Sequence, residues 1–542
     1  MSELKVLLVS PEVAPFSKTG GLADVAGSLP KALAKKGVDV RVVMPKFKNL
    51  PQKYQKLLKS LGSGYVDICY RTNGFEIHTY SEDGVTYYFI EHNIYFDRDG
   101  YYGYGDDGER FTFFCKAALE MLPIANFKPD IIHSNDWQSG VVSLLLKAKY
   151  AYSDFYKDIK TVFTIHNMKY QGVFPKEIMN SLLGISWEHF TYDKIEFYDQ
   201  VNYLKAAINY SDAVTTVSKT YADEIKHDFF AENLGGTIRT KSDNLYGIVN
   251  GIDYDVFNPA TDHKIFANFD INDLKGKYTN KRMLQEFLGL PVSPNTPIIG
   301  LVTRLVENKG LDLIGAVITD LLQHDIQIVV LGSGEYRYEE MLKYYAHAYP
   351  TKVSVNIKYD DYLSHRIYAA SDMFLMPSQF EPCGLSQIIS MRYGTVPIVR
   401  ETGGLKDTVI PYNKFTGEGT GFSFSNYNAH EMLSVIENAI SKYHEREEWR
   451  NIIMNGMKID FSWSNSANEY IDLYHKLLTN KELHKKNKDI SSNSSNSTRK
   501  NTKKKSDSNN SSSNESGDTN SNFIDSILTN LENNHKNKIT VV

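Results

Sequence analysis

Five short stretches of this chain combine residue types that can do chemistry. The first is Lys18-Thr19-Gly20-Gly21-Leu22-Ala23-Asp24. It lies between a strand-like and a helix-like run, where the first N–H groups of a helix point outward and attract an anion. Two glycines let a ligand approach the backbone closely, and the lysine adds a compact positive charge. The turn reads either as a phosphate- or sugar-binding loop or as a tight structural turn with a surface lysine. Its spacing matches neither the dinucleotide fingerprint nor the P-loop. The second is a pair of polar clusters, His133-Ser134-Asn135-Asp136-Trp137 and Thr164-Ile165-His166-Asn167, each directly after an apolar run. Open α/β sheets bind ligands outside the carboxyl ends of their strands, so two such clusters mark a functional edge. The third is Arg304-Leu305-Val306-Glu307-Asn308-Lys309-Gly310. A planar guanidinium fork and a point charge both suit phosphate oxygens; a solvated basic loop is the plainer reading. The fourth is Glu381-Pro382-Cys383-Gly384-Leu385-Ser386, a turn before a helix start, with a glutamate placed to accept hydrogen bonds from hydroxyls. Gly403-Gly404-Leu405 is a further turn of this kind. Cys383 has no surrounding triad that would make it a nucleophile. The fifth is the aromatic loop Tyr95-Phe96-Asp97-Arg98-Asp99-Gly100-Tyr101-Tyr102-Gly103-Tyr104. Its mixture of rings with Gly, Asp and Arg looks unsuited to a core and suits the apolar faces of sugar rings, with membrane or protein binding as the rival.

The elements that must position these stretches follow from periodicity. KVLLVS reads as a buried strand, residues 24–36 as a helix, and VDVRVVMP as the next strand, which together make a βαβ unit and imply a parallel sheet. Strands follow at 130–133, 161–166, 213–218 and 246–250, with a helix over 140–149. A second copy of the pattern starts near Pro297: strand IIGLVTRL, helix 311–323, strand IQIVVLG, strand MFLMPS, a helix from about Leu385, strand TVPIVR and strand GTGFSF. The junction lies near 250–295, where KRMLQEFLGL has helical spacing. Residues 431–443 and 466–478 also read as helices.

With 542 residues, the chain exceeds a single module. A size prior of about 150 residues per domain suggests three to four units, but the pattern supports two α/β halves. Net charge is −5, which argues against a nucleic-acid binder. Residues 481–542 carry a net +4, leaving the rest at −9. Within that tail, residues 491–522 contain no Val, Ile, Leu, Met, Phe, Trp or Tyr, so disorder is expected. Phe523, Ile524, Ile527, Leu528 and Leu531 then fall on one helical face; transient helicity and a docking helix for a protein partner are the two readings. Three cysteines supply neither a disulfide framework nor metal-ligand spacing. No apolar run approaches the roughly 18 residues of a membrane span, no transit or signal peptide is expected before KVLLVS, and a reducing, cytoplasmic setting is expected.

The motifs KTGGLADVAGSLPKAL, HSNDWQSG, TIHNMKYQGVF, VNGIDYDVFNP, RLVENKG, SHRIYAASD, PSQFEPCGLSQ, YGTVPIVRETGGLKDTV and GTGF together resemble the bacterial-type glycogen synthase and plant starch synthase family, in the family's order and over about residues 1–480. The resemblance implies a GT-B fold: α/β, two Rossmann-like domains with parallel sheets facing across a cleft, and a final helix crossing back. The expected divisions are an acceptor-glucan domain at 1–250, a nucleotide-sugar domain at 251–480 and a disordered Ser/Asn/Lys-rich tail at 481–542. The implied reaction moves glucose from ADP-glucose to the non-reducing end of an α-1,4-glucan with retention of configuration. No cofactor and no metal are expected, nor a protein nucleophile, since the acceptor hydroxyl passes its proton to the departing phosphate. By resemblance the catalytic group is Asp136, His166, Arg304, Lys309 and Glu381. The donor nucleotide falls to Lys18, Gly20, Gly21, Arg304, Lys309, Gly384, Leu385 and Ser386, with Tyr359 near the adenine. Tyr95, Trp137 and Asn167 join Glu381 at the sugars. Three positions depart: Ile389 stands where a broader set of retaining enzymes has a second Glu, and Phe257 and Ser386 stand where the family often has Trp and Thr. A related transferase using UDP-glucose or another acceptor, and a glucan-binding scaffold with a decayed site, are the other readings.

Overall fold

The computed structural model describes residues 3–479. The tail at 481–542 and the helical patch at 523–531 lie outside the described residues.

The first half is built on a nine-stranded sheet. Its early strands are β1 (Lys5–Val9), β2 (Asp39–Pro45), β3 (Lys59–Ile68), β4 (Arg71–Glu82), β5 (Val85–Glu91), β6 (Ile131–Asn135) and β7 (Lys160–Ile165). A small antiparallel sheet follows, made of β8 (Val173–Pro175), β9 (Glu196–Phe197) and β10 (Gln200–Asn202). β11 (Ala213–Thr216) and β12 (Leu245–Gly247) complete the large sheet in the order β12-β11-β7-β6-β1-β2-β5-β4-β3. The seven strands from β12 to β5 run parallel, and β5-β4-β3 is an antiparallel meander at the edge. Val6, Leu7, Leu8 and Val9 are fully buried, as a strand covered on both faces requires.

The second half has six parallel strands: β13 (Ile298–Val302), β14 (Gln327–Gly332), β15 (Val353–Ile357), β16 (Met373–Met376), β17 (Val396–Arg400) and β18 (Phe422–Phe424), ordered β15-β14-β13-β16-β17-β18. In each sheet chain order reverses beside one central strand, with β1 between β2 and β6, and β13 between β14 and β16. The crevice at the carboxyl ends of such a pair is where this architecture binds ligands.

Residues 463–479 form the last described helix. Its Trp463, Ala467, Tyr470, Leu473, Tyr474 and Leu477 pack with Leu4, Val6, Leu8 and Val25 of the first half. The His133 imidazole Nδ1 pairs with the Tyr474 hydroxyl at 2.7 Å, and Ser466 Oγ donates to the Val249 carbonyl at 2.6 Å. The chain therefore returns to the sheet on which it began.

Several elements differ from the sequence reading. The first helix spans Gly21–Ala34, with Gly20 extended at its N-cap, so the glycines open the helix instead of preceding it. The meander β3–β5 and the helix Asp107–Ile124 carry no match in the sequence reading. That helix buries Arg110, Phe111, Phe113, Phe114, Cys115 and Leu119 around most of its circumference, which erases the one-sided periodicity that reveals a surface helix. The start of the aromatic loop is a correction, since Tyr95 and Phe96 belong to the core, whereas Tyr104 stays half-buried. Asn93–Phe96 is a short helix, Phe96 is fully buried, and Tyr95 is 4% exposed.

Candidate active site

The site is assembled from loops at the carboxyl ends of β1, β6, β7, β13 and β16. After β1, Lys18 pairs with Asp24 at 2.7 Å. Burial opposes the Lys18 charge, but Asp24, with Tyr359 and Asp361 of the second half beyond it, holds the ammonium above its ordinary range. No side chain caps the helix Gly21–Ala34, so its first N–H groups stay available to an anion. A Cβ placed on Gly21 would stand 3.9 Å from Leu385 Cδ1. The Lys18–Gly21 turn therefore faces both the Tyr359–Asp361 stretch and the Gly384–Ser386 turn across the gap between the halves.

At the end of β6, Asp136 has φ +54°, a left-handed conformation that costs a non-glycine residue energy and recurs at working sites. Its carboxylate accepts the His166 N–H at 2.8 Å, and its own N–H donates to the Thr164 carbonyl at 3.0 Å. Burial pushes the Asp136 carboxyl up to about 7; the His166 N–H pulls down, and the Glu12 charge pushes up again. His166 Nε2 lies 3.0 Å from Asn135 Oδ1, and burial holds its imidazole neutral, with the pKa down to about 3. Asn167 is half-buried beside it, its side-chain oxygen accepting the Lys169 N–H at 3.0 Å.

In the second half, Lys309 and Glu381 form an ion pair with side chains only 16% and 11% exposed. The same carboxylate oxygen, Oε2, takes the Ser378 hydroxyl at 3.1 Å, and Oε1 has no partner among the described residues. Gly310, at φ +73°, follows Lys309; a Cβ there would sit 2.1 Å from the Pro377 carbonyl oxygen. Only glycine lets the Lys309 loop close on the strand end that carries Glu381. Arg304 is exposed, and its guanidinium forms no ion pair among the described residues. Tyr359 is also exposed. Gly384 has φ +71°, and the Ser386 Oγ accepts the Tyr368 hydroxyl at 2.9 Å. Cys383 is buried with its thiol pushed up to about 12, so it holds its proton near neutral pH.

The halves are tied beside this turn. Ser218 Oγ donates to the Pro382 carbonyl at 2.6 Å, and Thr220 N–H and Oγ donate to Asp407 at 2.9 and 2.5 Å. Glu224 accepts from Thr402 Oγ and Gly403 N–H, both at 3.0 Å.

A cleft of about 530 Å³ opens next to Asp136, lined among others by Tyr104, Trp137, Tyr170, Phe174, Phe197 and Asn233. Trp137 is therefore where a sugar ring could reach it. Tyr95 is not. Its ring stacks on His92 with centroids 4.3 Å apart, its hydroxyl is taken by Glu109, and it packs in the core. The sequence reading missed Tyr170, Phe197 and the Glu232–Asn233 edge, which reach the cleft only through the fold. It also missed Glu12, whose one signal is an isolated carboxylate in the apolar stretch before Lys18. Among the described residues one His/carboxylate group has metal-ligand spacing, Glu76, His78 and Glu91. It lies on β4 and β5, not among the strand-end loops, and Lys46 already pairs with Glu91 at 2.7 Å.

Two sheets with switch points, cations gathered at one and a strained aspartate at the other, describe a two-lobed glycosyltransferase. The family comparisons agree: "Starch synthase catalytic domain" matches residues 5–240 and "Glycosyl transferases group 1" matches 288–455. A glycogen synthase of Desulforamulus reducens is 51% identical over 477 residues, covering 88% of this chain and 99% of the relative. One from Caldicellulosiruptor bescii is 51% identical over 476 residues, covering 88% and 100%. The catalytic domain of starch synthase IV from Arabidopsis thaliana, solved bound to ADP and acarbose, superposes with a TM-score of 0.82 at 36% identity, covering 88% of this chain and all of that one. The chain belongs to the glycogen synthase and starch synthase family and has its GT-B fold. No described helix is long and apolar enough to cross a membrane.

Proposed function

We propose that the chain transfers glucose from ADP-glucose to the non-reducing end of an α-1,4-glucan with retention of configuration, its own cations rather than a metal or cofactor stabilising the diphosphate. The observation that carries this reading is the Lys309–Glu381 pair, set in the second lobe, whose Gly384–Ser386 turn is met by the Gly21 helix start of the first. Lys309, Arg304 and Lys18 supply positive charge, and the uncapped helix start supplies N–H groups, where charge develops on the leaving diphosphate. Glu381 keeps Oε1 for a glucose hydroxyl. Asp136 and His166 line the sugar side, with Asn167 beside them, and the acceptor lies along the Trp137 cleft, ring faces on aromatic faces. The Tyr359 ring stacks on the adenine. Neutral His166 positions sugar; it does not take a proton. The starch synthase IV domain, solved with ADP and acarbose, supports both the nucleotide and the glucan assignments.

The test is incorporation of label from ADP-[14C]glucose into glycogen by the purified chain, beside the same assay with UDP-glucose. Faster incorporation from ADP-glucose is expected. No incorporation from either donor ends the proposal, and faster transfer from UDP-glucose ends the donor assignment.

A further inference from the structure

One buried carboxylate has no part in the steps above. Glu12 lies in the loop after β1 and is 4% exposed. Its two oxygens take three hydrogen bonds: Oε2 from the Thr19 N–H, and Oε1 from the Thr19 hydroxyl at 2.6 Å and the Tyr102 hydroxyl at 2.8 Å. The Ser10 hydroxyl donates to the Glu12 carbonyl at 2.6 Å, which fixes the backbone from which the side chain projects. Thr19 stands between Lys18 and Gly20, so the first two bonds set the shape of the turn offered to the donor. Tyr102 leads the other way: its ring lies 5.8 Å from that of Phe111, which meets Trp137 edge-on at 5.4 Å. A single carboxylate thus joins the donor-side turn to the wall of the acceptor cleft.

We propose that Glu12 is a positioning residue for glucose transfer, holding the Lys18–Gly21 turn and the Tyr102–Phe111–Trp137 stack in fixed relation at the end of β6. The proposal rests on the reading of the site as a glucosyltransferase centre. It has an electrostatic consequence that simple packing lacks. Asp136 is faced by the His166 and Asn167 N–H groups, the Tyr102 and Tyr221 hydroxyls, and Glu12. Glu12 is the charged member of that set, and its charge makes Asp136 harder to ionise. Removing the charge lets Asp136 ionise at lower pH.

The experiment is kcat/KM against pH from 5.5 to 9, with ADP-glucose and glycogen, for the full chain and for Glu12→Gln and Glu12→Asp, each checked by thermal melting. In E12Q the acid limb moves down by about one pH unit, the effect of one charge several ångströms away at an effective dielectric of about 40. Its kcat drops about tenfold, because the amide keeps one acceptor for the Thr19 N–H while the Thr19 and Tyr102 hydroxyls, which donate to the carboxylate, must turn to accept. E12D keeps the charge and leaves the limb in place. A limb that stays put in E12Q, or moves as far in E12D, overturns the proposal. If E12Q does not fold, Thr19→Val and Tyr102→Phe decide. Each removes one donor to Glu12 and is expected to lower kcat about fivefold or more; wild-type kcat in both overturns it. A wild-type chain that transfers no glucose removes the underlying function, whereas an active wild type with an unresponsive limb removes only the role of Glu12.

Discussion

At the scale of single residues the site is a balance of buried charges. Lys309 and Glu381 pair with each other, so truncating either removes a contact proposed for the donor sugar or diphosphate and strands the partner. Lys309→Ala and Glu381→Ala are each expected to lower kcat by about 10²–10³, the size of one lost electrostatic contact of ~3–4 kcal/mol. Melting of the single and double variants should show the double mutant less destabilised than the two singles summed, as coupled partners require. On the proposed assignment of the site, Asp136 is the group expected to set the pH behaviour. With its pKa raised to about 7, the ionised form that accepts the His166 N–H fills as pH rises through 7, and kcat/KM should rise with it. His166, held near 3, is neutral throughout that range and cannot supply the limb. The sign for stability is opposite. A carboxyl raised from an unfolded value of 3.8 costs stability as pH climbs from about 4 to about 7. Asp136→Asn should therefore abolish transfer yet melt higher than wild type at pH 8, with a smaller difference at pH 5.

At the scale of elements, the returning helix at 463–479 supports the strand end that holds Asp136. His133, on β6, bonds Tyr474 through Nδ1 and Thr164 through Nε2 at 2.6 Å. Burial holds this imidazole neutral, its pKa down to about 3. The unfolded chain takes up the proton first, so stability present above pH 6.5 is lost as pH falls below it, by about 1.4 kcal/mol per unit. Unfolding midpoints in urea across pH 5–7 check this, with His133→Gln flattening the slope. Tyr474→Phe should cost about 1–3 kcal/mol, because it leaves a buried ring nitrogen without its partner. The loop after β7 contributes shape. Gly172 has φ +63°, and a Cβ there would stand 2.3 Å from Trp137 Cε3. Gly172→Ala must tilt the indole, so it should raise the KM for glycogen while leaving that for ADP-glucose near wild type.

At the scale of the molecule, catalysis depends on two lobes meeting in one geometry. Thr220 with Asp407, and Glu224 with Thr402 and Gly403, tie helix Lys219–Glu224 to helix Gly403–Thr408. They lie beside the Glu381–Ser386 turn, where the Gly404 N–H donates to the Glu381 carbonyl at 3.1 Å. Changing Asp407 to Ala should therefore shift kcat and both KM values together, the signature of a lobe contact. Relatives that match 88% of this chain do so over nearly their full length. Deleting residues 485–542 is accordingly expected to leave turnover intact, and a large loss in the labelled-glucose assay would show otherwise.

The linear order of residues determined a great deal by itself. Each buried strand announces itself as an apolar run, and polar clusters such as His133–Trp137 and Arg304–Gly310 fall directly after such runs because strand ends must leave the core. That is why the two α/β halves, the strand-end placement of Lys18, Asp136, His166, Lys309 and Glu381, and the family were legible. Tertiary structure decided what local pattern cannot encode. An aromatic ring reads the same whether it meets sugar or core; only packing shows that Tyr95 stacks on His92 while Trp137 lines a cleft. The helix Asp107–Ile124 hides because it is buried nearly all round. Glu12, Gly172 and Phe197 acquire meaning only when residues far apart in sequence are brought together, since the fields and steric limits that give them a role act through space and not along the chain.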